Sequence, residues 1–312
     1  MPDLIVNTDN LIGVRLALSK FGKTRTCTKQ EKAVMTNEAH AKPEAIRASK
    51  VLIDSKDVTV KKLDACQNAM RQFINAFSQP SIIEGVRHMN VELVDKLQET
   101  YGNQVERLEQ LKAEFKARRG EIMASAKDRL GDFYSDDLFP GNMHTSYSMM
   151  LDFPDIKPDE RLKKIDPAAY EAAVAQYMAQ VTTKANEALD TLLDNTADLV
   201  NRMIDILTGG DDGKPKTFRK DTFETWALLF DRFKSITSVM EGEKKDKADA
   251  VIHAAESMLD GITPTKLRTD TQVQQDLTNG FKMLQQQLAQ MVELQPDRAI
   301  DLDDDEPEEF PI

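Results

Sequence analysis

Cysteine is nearly absent from this chain. Two residues in 312, Cys27 and Cys66, cannot build a disulfide framework and fit a reducing compartment. Long apolar runs are missing too. The longest, residues 11–18, is interrupted by Arg15 and falls far short of the roughly twenty residues that a membrane-spanning helix needs. Residues 1–10 have neither a basic start nor an apolar stretch, so no secretory leader is expected. These deficits point to the cytoplasm and away from a membrane partner. Positive charge is in short supply: the formal net charge is −12, which argues against a general duplex-DNA binder. The shortage is uneven. Residues 1–134 hold 22 basic and 18 acidic side chains, and residues 135–312 hold 19 and 35, so a local basic patch in the first half stays open.

Catalytic patterns are lacking as well. The four histidines, His40, His88, His144 and His253, form no two-histidine zinc motif. Glu84 with His88 and His253 with Glu256 are spaced to touch on a helix face, but two ligands leave a metal site incomplete. Gly22-Lys23-Thr24 copies the end of a phosphate-binding loop. The glycine that loop needs five residues earlier is Ala17, inside an alternating stretch, and threonines rather than a helix follow. No carboxylate pair sits in an apolar setting that separates two pKa values, and serine-centred elbow motifs are absent. The expectation is a non-enzyme without cofactor or metal.

What is present favours helix. Aromatics are only 6% of the chain, hydrophobic residues reach 40%, and Ala, Leu, Met, Gln, Glu and Lys abound. That is enough for a core, and only the first thirty residues lean towards strand. Val14, Leu16 and Leu18 alternate with Arg15 and Ala17, and Thr24, Thr26 and Thr28 follow a Phe21-Gly22-Lys23 turn, which reads as a short strand or hairpin. Residues 58–78 carry a helical stripe through Val60, Leu63, Cys66, Met70, Ile74 and Phe77. Residues 90–130 read as one long amphipathic helix, with Val94, Tyr101, Leu108, Phe115 and Ile122 at every seventh position. Residues 167–207 read as a second, capped by Asp166-Pro167 and stopped at Gly209-Gly210. Helices at 218–240, 246–260 and 271–294 follow, and the only tryptophan is Trp226. The expected fold is mainly α: a long antiparallel helical hairpin of 90–130 with 167–207, like a coiled coil, plus packed helices and a small N-terminal β-strand or hairpin. The expected organisation is 1–57 as strand and arm, 58–294 as helical domain, and 295–312 as a disordered acidic tail.

Two surfaces suggest partners. Residues 132–159 gather aromatics among Pro and Gly into a cap at the hairpin's tip, which puts Phe139, Tyr147 and Phe153 forward as interface groups. The tail runs from Asp301 to Glu309 and ends in Phe310-Pro311-Ile312, offering charge for steering and Phe310 and Ile312 for a pocket. Over about ten residues it resembles the acidic tails of single-stranded-DNA-binding proteins. A nucleic-acid-handling alternative would use Lys112, Lys116, Arg118 and Arg119, with Lys127 and Arg129 beyond them, and the tail as autoinhibitor. The sequence leaves open homo-oligomerisation and whether the N-terminal strand pairs within or between chains.

In layout the chain resembles an uncharacterised protein family of tailed phages and bacterial mobile elements. The likeness is carried by Leu16-Ala17-Leu18, by Ile83-Glu84-Gly85-Val86-Arg87 leading into the long helix, and by Phe133-Tyr134 to Pro140 followed by Phe153-Pro154. Phe218-Arg219, which opens the helix of Trp226, completes it. Members of that family are often encoded beside a MoxR-type AAA+ ATPase and a von Willebrand factor A-type protein. The resemblance therefore implies a phage-type interaction or scaffold protein, an adaptor for a AAA+ remodelling ATPase, in the host cytoplasm.

Overall fold

The computed structural model describes residues 4–37, 42–209 and 220–293. Within these the chain is mainly helical, with small antiparallel sheets. It divides into two compact units, Val6–Ala185 and Met1–Ile5 with Asn186–Ile312. Residues 1–57 are thus no separate arm. The boundary near 58 is replaced by one inside the long helix at Ala185, because the N-terminal strand is built into the first unit's core. The proposed tail from 295 onwards lies outside the described residues.

After β1 (Ile5–Val6), the nine-residue β2 (Leu11–Ser19) is the centre of a four-stranded sheet. Its first half pairs with β6 (Arg87–Asn90) and its second half with β7 (Ser148–Asp152), while β5 (Ser78–Pro80) pairs with β6. The strand therefore pairs within the chain. The alternation works as the sequence suggests: Val14 is buried with Ile12, Leu16 and Leu18 against the core, while Arg15 and Ala17 are exposed. The expected hairpin with residues 24–28 does not form. β3 (Thr24–Thr26) pairs instead with β4 (Ser49–Val51), because the Lys23 carbonyl accepts the N–H groups of Leu52 at 2.8 Å and Ile53 at 3.3 Å. Leu52 and Ile53 are themselves buried, which anchors that register. The short helix α1 (Lys29–Asn37) lies between β3 and β4 in the chain.

α2 (Val58–Phe77) starts at Asp57, whose side chain accepts the Val60 N–H at 3.0 Å, an N-cap that satisfies an orphan helical donor. Val60, Leu63, Cys66, Met70, Ile74 and Phe77 form its buried stripe. That stripe packs on α3 (Val94–Ala117), which buries Leu97, Leu108, Leu111 and Phe115. Arg118, just beyond α3, pairs with Asp57 at the start of α2 at 3.2 Å, and Lys96 near the start of α3 lies over the Phe77 ring at the end of α2. The two helices are therefore antiparallel. The long helical hairpin exists, but α3's partner is α2 and not the helix beginning at 167. The shared core contains α2, α3, α4 (Arg119–Leu130), the sheet and the cap, and among the described residues none after 151.

The expected continuous helix over 90–130 is shorter and broken. β6 takes residues 87–90, a single 3-10 turn covers Val91–Leu93, and Arg118 (φ −86°, ψ 5°) separates α3 from α4. Arg118 Nη1 donates to Thr59 Oγ1 at 2.6 Å and its Nε to Glu121 at 3.0 Å. These anchors hold the backbone out of helical geometry just before Gly120, a weak helix former. α5 (Glu160–Ile165) precedes α6 (Pro167–Thr208), whose Asp166 side chain accepts the Ala169 N–H at 3.0 Å. Here the sequence reading and the structure agree to within a residue.

In the second unit, α7 (Lys220–Thr237), the two-residue β8 (Met240–Glu241), α8 (Glu243–Leu259), α9 (Pro264–Thr269) and α10 (Thr271–Glu293) follow the last part of α6. Trp226 is the hub, its ring 5.6 Å from both Phe230 and Phe281. Lys244 ties α8 to Asp190 of α6 at 2.5 Å.

Gly13 marks the tightest approach in the first unit. A β-carbon there would collide with the Pro154 carbonyl oxygen and stand 2.5 Å from Ile156 Cγ2. Gly13→Ala should cost about 1–3 kcal/mol in urea denaturation through overpacking. Gly22→Ala, where the nearest atom is at 3.5 Å, should stay within about 0.5 kcal/mol. Equal effects of the two changes would contradict this packing.

Candidate partner-binding site

The residues singled out from the sequence are placed very differently from one another. Phe139 and Tyr147 are completely buried. Phe139 stacks on Tyr134 with ring centroids 6.0 Å apart, and Tyr147 stands edge-on to Phe115 at 5.4 Å. They fasten the cap to the hairpin and offer no surface, because aromatics in a lone irregular segment are what holds it down. Burial, with Asp64 and Asp57 adding to it, pushes the Tyr147 hydroxyl well above the usual phenol range. Phe153 is exposed, and so is Met150 nearby on β7. Phe310 and Ile312 lie outside the described residues.

The basic residues of α3 and α4 do not assemble into a cationic stripe. Lys112 donates to Glu109 at 2.7 Å. Arg118 serves Asp57, Thr59 and Glu121, and the Glu121 carboxylate first, with Asp57 adding to it, raises its pKa above the ordinary guanidinium value. Arg119 donates to the Phe139 carbonyl, and Arg129 to the Leu52 carbonyl at 2.9 Å. Lys116 and Lys127 remain exposed. Three of the six cations are therefore fasteners inside the first unit, a use that linear spacing does not reveal.

Lys23 of the Gly22-Lys23-Thr24 segment pairs with Asp64 of α2, and Thr24 begins a strand. Glu84 and His88 do not share a helix: Glu84 is in the exposed turn between β5 and β6, where Gly85 takes φ 72°, and His88 is buried in β6. Among the described residues no three His, Cys, Asp or Glu side chains converge as a metal site would require.

His253 and Glu256 do share a helix face, and they stand at the join of two cavities between α7 and α8. The larger, about 460 Å³, is lined by Phe223, Trp226, Ala227 and Phe230 of α7 and by Leu259 and Asp260 at the end of α8. The smaller, about 320 Å³, is lined by Phe233, Thr237 and Ile252 with Lys234, Lys245 and Asp249 at its edge. Positions 223, 226, 230, 233 and 237 recur at helical spacing, so one face of α7 floors both. The result is a cleft with an aromatic and aliphatic floor and a charged rim, bridged by Lys234 to Glu256 at 2.6 Å. The α7 stripe was legible in the sequence. That cavities remain between this face and α8, although Trp226, Phe230 and Phe233 are themselves buried, was not, because periodicity tells which face is apolar and not how closely a neighbour packs on it.

Comparison with protein-family models, with curated proteins and with solved structures gives no match.

Asp57 carries two jobs, capping α2 and pairing Arg118, and these separate by substitution. Asp57→Ala should lower first-unit stability by about 1–2 kcal/mol, while Asp57→Asn, which keeps the cap, should recover most of the loss. Urea denaturation of both variants reads the difference, and an Asn variant as weak as the Ala one would show that the charge pair dominates.

Proposed function

We propose that this chain is a non-enzymatic interaction or scaffold protein that receives a helix of a partner protein in the α7–α8 cleft. The cleft carries the reading. Together its two cavities follow several turns of α7, with apolar side chains on the floor and charges at the rim. That is the form in which an amphipathic helix is held by a groove, and the larger cavity falls within the usual size range of binding pockets. A AAA+ remodelling ATPase is the partner that the chain's layout resemblance implies, which would make this protein an adaptor of phage type working in the cytoplasm. The nucleic-acid alternative loses support, since Arg118 and Arg119 are spent on intramolecular bonds. No helix among the described residues is long and apolar enough to cross a membrane.

Ala227 and Ser257 line the cleft from exposed positions, so charges there should leave the fold intact. Ala227→Glu and Ser257→Glu should each weaken binding of a MoxR-type AAA+ ATPase from the same genome by tenfold or more, with circular dichroism and melting temperature unchanged. Isothermal titration checks this. Absence of binding by the unaltered protein would sink the adaptor reading, and undiminished binding by both variants would move the contact away from the cleft.

A further inference from the structure

One face of the four-stranded sheet carries buried polar atoms that have no hydrogen-bond partner among the described residues. Gln79 and His88 oppose each other across β5 and β6, and Gly13 opposes His88 from β2, so all three lie on the same face. Residues 154–156 press on that face at Gly13. Tyr177 of α6 stands edge-on to His88 with ring centroids 6.3 Å apart. Gln79, His88 and Tyr177 are each at least nine-tenths buried. Yet both amide atoms of Gln79, Nδ1 of His88 and the Tyr177 hydroxyl have no hydrogen-bond partner among the described residues. His88 keeps one bond, between Nε2 and Ser81 Oγ at 2.9 Å. Four polar atoms in one layer without a protein partner lower the gain from keeping this layer closed.

We propose that residues 153–159 are a strap that lifts from the sheet when His88 takes up a proton, so that mild acid opens this layer ahead of the rest of the first unit. Ionisable groups on the strap and on this face include Asp155, which acts on Tyr177 of α6, Lys157, which pairs with Asp9 at 2.6 Å, Asp159, which pairs with Arg161, the Arg15–Asp152 pair further along the sheet, and Glu84 in the exposed turn. Arg87 lies on the opposite face and donates to Ser78. Burial alone lowers the His88 imidazole from its ordinary 6.5 to about 4. Burial first, with Asp155 adding to it, raises the Tyr177 hydroxyl to about 12, so Tyr177 stays neutral throughout.

The closed state thus binds its proton only near pH 4, while the opened state binds one near 6.5. Opening is favoured as pH falls through 6.5, and the gain levels off near 4. Between pH 7.5 and 5.0 the opened-to-closed ratio rises about 30-fold. Opening uncovers Gln79 and His88 on the sheet face that also carries Ala17 and Met150, which are already exposed, and so enlarges one continuous sheet surface.

The test uses thiol labelling of the full chain. Ile156 is buried on the strap and Phe153 is exposed, so the labelling rate of Ile156→Cys divided by that of Phe153→Cys cancels the ionisation of the thiol. That ratio should rise about 30-fold from pH 7.5 to 5.0. The native Cys66, buried in the α2 stripe, should stay unlabelled, and His88→Gln, whose amide does not titrate, should flatten the rise. If Ile156→Cys does not fold, Tyr177→Cys reports from the other side of the same layer. A flat ratio with His88 present, an equal rise in His88→Gln, or Cys66 labelling in step with Ile156→Cys would overturn the proposal.

Discussion

The first unit depends on the apolar stripe of α2. Val60, Leu63, Cys66, Met70, Ile74 and Phe77 are all nearly or fully buried, and every other element of the unit's core meets them or what they pack on. At about 1.5–3 kcal/mol for each large side chain removed from water, the stripe alone gathers roughly 10 kcal/mol before entropy is counted, comparable to the net stability of a whole domain. α3 supplies the opposite wall, the sheet closes one side through Val14 and Met89, and Phe139, Met143 and Tyr147 close the end. The charged groups then set alignment. Asp57 and Arg118 fix which ends of the hairpin meet, and the break at Arg118 turns the chain into α4 so that Ile122 and Ala126 reach the same core.

Much of this was legible in the sequence, and the parts that were not share a cause. The α2 stripe, the strand at 11–19 and the capped start at Asp166-Pro167 could be read because each is a local pattern: a period, an alternation, a cap. Pairing choices were not local. The seventh-residue column from Val94 to Ile122 suggested a partner of matching length, and the helix from 167 matched. The true cover is the shorter α2, set in place by the β5–β6 turn. Thr24–Thr26 looked like the return strand of a hairpin, and only the bonds from the Lys23 carbonyl decide that it joins 49–51. The same limit applies to the candidate sites. Phe139 and Tyr147 were correctly seen as a cluster able to bury area, but the area is buried internally. Arg118, Arg119 and Arg129 were read as a solvent-facing basic run, and their acceptors include two backbone carbonyls, the Thr59 hydroxyl and the capping Asp57 carboxylate, all distant in sequence.

The two units treat their unpaired surface in opposite ways. The second unit leaves cavities between α7 and α8 above a floor of buried aromatic side chains. The first unit covers polar atoms of the sheet with residues 154–156 and leaves them unsatisfied, where Gln79, His88 and Tyr177 gain from being uncovered. A surface that binds and a layer that opens are both departures from the rule that interiors are apolar and satisfied, and they are the two places in the chain where function is best sought.

The account's central claim is that a partner's helix lies in the α7–α8 cleft. Site-specific photo-crosslinking tests it most directly: a benzophenone amino acid placed at Ala227, with Met283 on α10 as an exposed control, followed by mass-spectrometric mapping against the purified ATPase. The account predicts cross-links from position 227 to a single helical segment of the partner, and none from 283. Cross-links of equal yield from both positions, or from 283 alone, would contradict it.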